Sequence, residues 1–95
     1  MTSFRYSVAV MPRDGILDPQ GRAVEAALPQ LGAASVHGVR VGRRIELTVE
    51  AVDESEARRV VEKLASDFLA NPLVERWSIE QAETATGAIA EAVAG

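Results

Sequence analysis

Apolar and polar residues alternate along the first segment of the chain. Phe4, Tyr6, Val8 and Val10 fall on one side, with Arg5, Ser7 and Ala9 between them, which is the period of a half-buried strand. Pro12 and the Asp14-Gly15 turn close it. From Pro19 the period lengthens, and Val24, Ala27, Leu28 and Leu31 share one helical face. Asp18 is placed to cap that helix, because its carboxylate can accept from free N–H groups of the first turn. Pro19 takes the first helical position, where a missing N–H costs nothing. Gly32 is a C-terminal cap. Pro29 removes one bond in the last turn, so a kinked or shortened helix end is expected there.

Val36 to Val41 is valine-rich and reads as a second strand. Gly42-Arg43-Arg44 is a short connection, so this strand is expected to form a hairpin with the next. In that next strand Ile45, Leu47, Val49 and Ala51 alternate with Glu46, Thr48 and Glu50, one face inward and one wet. Asp53 opens a second helix, with Glu56 completing a capping-box pattern. Its apolar stripe is Ala57, Val60, Val61, Leu64, Ala65 and Phe68. Arg58, Arg59, Glu62 and Lys63 take the wet side. Asn71-Pro72 stops the helix. Leu73 to Glu80 is the last strand, with Leu73, Trp77 and Ile79 on one side and Glu75 interrupting that side.

The element order is βαββαβ, the ferredoxin-like split pattern. The expected fold is α+β: a four-stranded antiparallel sheet with two helices on one face and a mostly polar second face. Residues 1–80 form a single domain, and 81–95 form an Ala/Glu-rich tail expected to be flexible.

Composition narrows the function. A net charge of −4 argues against nucleic acid as a partner, since phosphate binding needs a basic footprint. Aromatic residues make up only 4% of the chain, and the polar sheet face has none for stacking on bases. The absence of cysteine excludes disulfides, thiolate metal sites and cysteine nucleophiles. Met1-Thr2-Ser3-Phe4-Arg5 has no apolar signal core, and no run reaches membrane-spanning length. A cytoplasmic protein with no membrane partner is expected. A chain of 95 residues buries a modest core, so association with other chains is a natural way to add buried area.

No catalytic set assembles from the sequence. His37, the single histidine, has no sequence neighbour that makes it a base or ligand. Asp14 and Asp18 lie four apart, but a turn and a helix cap account for both. Arg40, Arg43 and Arg44 surround Gly42 and read as a hairpin tip or a protein interface. No Gly-rich loop leading into a helix N-terminus supports an anion site there. The Gly38–Gly42 spacing matters in long apolar helices and not in a short strand. Trp77 reads as core or interface. No catalytic, cofactor-binding or metal-binding residue is expected, and a binding or assembly module is favoured over an enzyme acting alone.

Three blocks in order carry a family resemblance: Gly15-Ile16-Leu17-Asp18-Pro19-Gln20-Gly21, Val39-Arg40-Val41-Gly42-Arg43 and Ala70-Asn71-Pro72-Leu73-Val74-Glu75. Together they resemble PurS, the small subunit of the multi-chain phosphoribosylformylglycinamidine synthase of purine biosynthesis. The resemblance covers roughly Phe4 to Glu80. It implies a βαββαβ subunit that forms homodimers or homotetramers and has no catalytic residues of its own. It also implies two partners, a large synthetase subunit that uses ATP and Mg and a glutaminase subunit that releases ammonia. The small subunit would bridge the two and support ammonia transfer, as an accessory subunit of an ATP-dependent C–N ligase with glutamine as amido donor. By resemblance, Asp18, Pro19 and Gly21 set the loop and helix entry. Arg40, Gly42 and Arg43 shape a hairpin offered to a partner, and Asn71 and Pro72 orient the last strand. The alternative is a small-molecule-binding regulatory domain of ferredoxin-like fold, with Gly15–Asp18 as its ligand loop.

Overall fold

Strand β1 (Thr2–Pro12) runs through the centre of the sheet, with β2 (Arg43–Ala51) and β3 (Glu75–Thr84) antiparallel on its two sides. The computed structural model describes residues 1–84. Helix α1 (Pro19–Ala27) follows β1, and helix α2 (Glu54–Leu64) joins β2 to β3. Both caps form as their residue types dictate. Asp18 Oδ1 accepts from Gly21 N at 3.0 Å, and Asp53 Oδ1 accepts from Glu56 N at 2.8 Å. The expected shortening at Pro29 is present: α1 ends at Ala27, a 3₁₀ turn covers Pro29–Leu31, and Gly32 takes a left-handed φ of 79°.

The fourth strand is absent among the described residues, and so is the hairpin that required it. Val36 to Val41 is held by side chains instead of a neighbouring strand. Glu25 Oε1 accepts from Val39 N at 3.0 Å, and Asp18 Oδ2 accepts from Val41 N at 2.9 Å. These bonds use alternate N–H groups, the ones a strand would offer along one edge. Gly38, with φ of 72°, also breaks the extended backbone inside the segment. Arg43 and Arg44 therefore belong to β2 and pair with Val10 and Ala9 of β1.

The last strand also differs from expectation. It begins at Glu75 and continues to Thr84, so residues 81–84 are strand and not tail. The rest of the expected tail, 85–95, lies outside the described residues. A bulge explains the misplaced end. Ser7 faces Gln81 while Val8 faces Ile79, leaving Glu80 as the extra residue. Beyond the bulge the inward and outward positions exchange, and the alternation seen in Trp77 and Ile79 stops.

The core is the inward face of β1 packed under α2. Phe4, Tyr6, Val8 and Val10 meet Ala51, Ala57, Val61, Ala65 and Ala70, with Ile45, Leu47, Val49, Leu69, Trp77 and Ile79 partly buried around them. α2 lies over β2 and β1, whereas α1 makes no comparable contact with the sheet and packs mainly on its own following turn. The expected two-helix layer is thus a one-helix layer. The helical stripe is also narrower than its sequence suggests. Ala57, Val61, Ala65 and Leu69 repeat every four residues and face the sheet, while Val60, Leu64 and Phe68 are exposed. Small residues at the seam let α2 approach closely. A π-helical turn over Ala65–Leu69, closed by Ala70 N donating to Ala65 O at 3.0 Å, ends the helix with Leu69 partly buried and Ala70 buried against the core.

The second face of the sheet is polar, as expected. Arg44 donates to Ser7 Oγ and to Gln81 Oε1, both at 2.9 Å, bridging all three strands. Ser7 is buried beneath it. Arg5 pairs with Glu83 at 2.7 Å.

Val61→Ala, at the α2–sheet seam, is expected to cost about 2 kcal/mol or more, a fall in Tm of roughly 10 °C for a domain of this size. Phe68→Ser on the opposite side of the stripe should change stability by less than about 0.5 kcal/mol. Thermal melts of the two variants test which half of the stripe is core.

Candidate functional site

The three sequence blocks meet at one end of the sheet. Asp18 is the hub. Its carboxylate caps α1 through Gly21 N and holds Val41 N, so one side chain ties the first block to the second. Gly21 is buried against this joint because nothing larger fits. A Cβ there would lie 2.5 Å from both Asp18 Oδ2 and Val39 O. Gly42 is similarly confined, since a Cβ would collide with Met11 Sδ and Val10 O.

Arg43 and Glu75 tie the second block to the third. Arg43 Nη1 and Nη2 reach the two carboxylate oxygens of Glu75 at 2.6 and 3.0 Å, and Nη2 also donates to Leu69 O at 2.6 Å. This is the planar, two-pronged geometry that guanidinium and carboxylate share. Glu75 Oε1 further accepts from Asn71 N at 2.7 Å. Asn71 builds a turn around its own backbone: its carbonyl accepts from Val74 N and Glu75 N, and its Oδ1 accepts from Leu73 N. The carbonyl of Pro72 accepts from Arg13 Nε at 2.9 Å, and Arg13 N donates to Val74 O. Arg40 donates to Asp14 Oδ1 and to Pro12 O, pinning the turn after β1.

Between these ties lies an open cleft of about 300 Å³. Pro12, Ile16, Leu17, Pro19, Val41 and Val74 supply its apolar lining, with Asp18, Gln20, Gly42, Arg43 and Glu75 along its walls. Of the sequence candidates, Asp18, Pro19, Gly42 and Arg43 line the cleft. Gly21, Arg40, Asn71 and Pro72 hold the segments that form it. The arginine cluster is divided, because Arg44 points to the polar face of the sheet while Arg40 and Arg43 are used at this end.

Electrostatics follow these contacts. The N–H groups of Gly21 and Val41 hold the Asp18 carboxyl below its ordinary range. The Arg43 guanidinium, with Asn71 N–H, does the same for Glu75, and Glu75 in turn raises Arg43. Asp14 is lowered by its bond to Arg40, and Arg76 adds to the effect. Each carboxylate at the cleft is thus held ionised and occupied by the fold. None is poised as a proton acceptor near neutrality. His37 is exposed elsewhere, with only Ser35 O at 3.3 Å from Nδ1. Among the described residues no three acidic or imidazole groups gather as a metal site. The arrangement can bind a surface and fix its own loops.

Glu75, Arg13 and Glu25 are the contributors that the sequence analysis missed. The signal for Glu75 was present as a carboxylate on the inward side of a strand, four residues after Asn71. A charge in that position requires a partner, and Arg43 supplies it.

Comparison with known proteins points one way. Residues 5–83 match the family model described as PurS, phosphoribosylformylglycinamidine (FGAM) synthase. The PurS subunit of phosphoribosylformylglycinamidine synthase from Mycobacterium leprae is 45% identical over 76 residues, covering 79% of this chain and 91% of that one. The structure of Thermus thermophilus PurS superimposes with a TM-score of 0.77 at 36% identity, covering 85% of this chain and 95% of that chain. A chain in the structure of PurLQS from Thermotoga maritima gives a TM-score of 0.75 at 30% identity, covering 88% and 99%.

Gly21→Ala is expected to lower stability by about 1–3 kcal/mol through overpacking. Hydrogen exchange should show the Val41 amide losing protection before the amides of β1. A second expectation concerns acid. The lowered Asp18 and Glu75 contribute stability that is complete above the ordinary carboxylate range, near pH 4. That stability is lost as pH falls through their depressed folded values. The Tm should drop steeply below about pH 4, and the double variant Asp18→Asn/Glu75→Gln should start lower and show a flatter acid limb.

Proposed function

Because the chain belongs to the PurS family of phosphoribosylformylglycinamidine synthase subunits, we propose that it is the non-catalytic bridging subunit of that enzyme in purine biosynthesis. It joins a large synthetase subunit to a glutaminase subunit and supports passage of ammonia between them. The mechanism is organisational. Ammonia released into neutral water is captured as ammonium, which is not a nucleophile, so a fixed relation between the two sites preserves the reactive form. ATP and Mg are used by the synthetase partner, and this chain binds neither. It works in the cytoplasm as a homodimer or homotetramer, with no nucleic acid or membrane partner.

The observation that carries this reading is the state of the cleft. Asp18, Pro19, Gly21, Arg40, Gly42, Arg43, Asn71 and Pro72 all serve to shape or hold one surface, and every carboxylate there is already bonded. A site whose carboxylates are already engaged in holding its own loops suits a docking surface better than acid–base chemistry.

Reconstitution of the three-subunit enzyme tests it. Leaving this chain out should abolish glutamine-dependent amidation and leave the ammonia-dependent rate of the synthetase largely intact. An unchanged glutamine-dependent rate would refute the bridging role.

A further inference from the structure

Two unpartnered features meet on one border of the molecule. The first is the outer edge of β2. Its backbone pairs with β1 in unbroken register from Arg43 to Ala51, and among the described residues no strand pairs with its far side. Sheets commonly blunt such an edge with a proline, a bulge or an inward-pointing charge. From Ile45 to Ala51 there is none, because the inward positions are Ile45, Leu47, Val49 and Ala51. The second feature is the apolar row of α2 that the sheet does not cover, with Val60 45% and Leu64 37% exposed. Helix α2 lies over β2 and β1. Burial raises the pKa of the Tyr6 hydroxyl on β1, and the charges that modulate it are those of Arg58, Glu54 and Glu62, so that row of α2 faces the β1 side. Val60 and Leu64 flank the sheet-facing row on its other side and overhang the β2 border. A right-handed crossover from β2 through α2 to β3 places them there as well.

This border is complementary to itself. Antiparallel pairing of two β2 strands about a two-fold axis at Leu47 uses the whole strand, Arg43–Ala51. On the inward face it sets Ile45 opposite the partner's Val49, and Leu47 opposite the partner's Leu47. On the polar face Arg44 meets the partner's Glu50, and Glu46 meets the partner's Thr48. Neighbouring registers are worse. An axis at Glu46 sets the two Glu46 side chains against each other, and an axis at Thr48 sets Glu46 against the partner's Glu50. Like charges directly opposite are destabilising. The spacing of the layers agrees with the pairing. Adjacent strands lie about 4.8 Å apart. Two α2 helices, each over its own β2 and β1, then come to about 10 Å from one another, the distance of packed helices. Val60 and Leu64 of both copies fall in the seam between them.

We propose that a second copy of this chain pairs along the β2 border, with the two-fold axis at Leu47, to give a continuous six-stranded sheet closed by Val60 and Leu64 of both α2 helices. The inference rests on the homo-oligomeric state proposed above and adds its surface and register. The sheet edge supplies backbone hydrogen bonds, and the helix seam supplies the apolar burial that a lone edge lacks. Each contact occurs twice by symmetry, so a single substitution acts at two places.

Sedimentation equilibrium of the full chain across a concentration series tests it. Val60→Glu and Leu64→Glu, which bring charge into the helix seam, should each weaken the dimer by about a hundredfold or more. Glu50→Arg sets like charges opposite the partner's Arg44 and should weaken it by about tenfold. The double variant Arg44→Glu/Glu50→Arg restores opposite charges and should recover most of that loss. Glu80→Lys on the β3 border should leave the dissociation constant within about twofold. The chain has no cysteine, so Leu47→Cys adds a single thiol that should join two copies on oxidation. Circular dichroism establishes that each variant folds, and the exposed Glu50→Arg carries the test if a helix variant does not. Failure of Leu47→Cys to cross-link overturns the register. An oligomer that Glu50→Arg, Val60→Glu and Leu64→Glu all leave intact overturns the β2 surface and spares the homo-oligomeric reading. A chain that stays monomeric at every concentration overturns both.

Discussion

The carboxylate of Asp18 satisfies backbone donors on two separate stretches of chain. One oxygen takes the N–H of Gly21 at the start of α1, and the other takes the N–H of Val41 just before β2. A strand partner could have served Val41 equally well, and here the carboxylate takes that place while Gly38 turns the backbone out of the extended conformation. Glu25 does the same one step earlier, at Val39. With both N–H groups occupied, the segment runs along α1 and delivers Gly42 and Arg43 to the end of the sheet. Everything in the cleft depends on that delivery, because Arg43 can reach Glu75 and Leu69 O only from there.

The cleft is accordingly a structure of crossed ties. Arg40 fixes the turn after β1, Arg43 fixes the exit of the π-helical turn and the entry to β3, and Arg13 straps the Pro72 carbonyl. Exposed ion pairs of this sort contribute little stability singly. Their value lies in geometry, since each joins residues distant in sequence and holds an irregular loop in one conformation. Irregular loops held in this way supply binding surfaces that a bare sheet end does not.

Regular local chemistry was legible in the sequence. The Asp18-Pro19 and Asp53 helix starts, the Pro29 interruption and the alternation of β1 each follow from residues adjacent in the chain. The departures arise from contacts between distant residues. Val36 to Val41 has strand composition, but Gly38 breaks the extended backbone and the carboxylates of Glu25 and Asp18, in α1 and at its cap, take the N–H groups of Val39 and Val41. Glu75 looked like an interruption because its partner lies 32 residues away. Phe68 shares the four-residue spacing of Val60 and Leu64, and that row lies beside the sheet-facing row of Ala57, Val61 and Ala65 and not on it, which spacing alone does not distinguish. The family resemblance rested on three blocks whose reason for recurring together appears only when the fold brings them to one place.

The bulge at Glu80 makes the two open borders of the sheet unequal. Along β2 the backbone runs in unbroken register from Arg43 to Ala51, and its outward-facing polar groups form a regular template. Along β3 the repeat is interrupted at Glu80, which bends the strand and misaligns any ladder that would cross it. An arriving strand therefore finds a continuous track on one border and a fault on the other. The two borders of the sheet thus differ in the regularity of the backbone ladder they present, a difference that a bulge creates without any change of side chain.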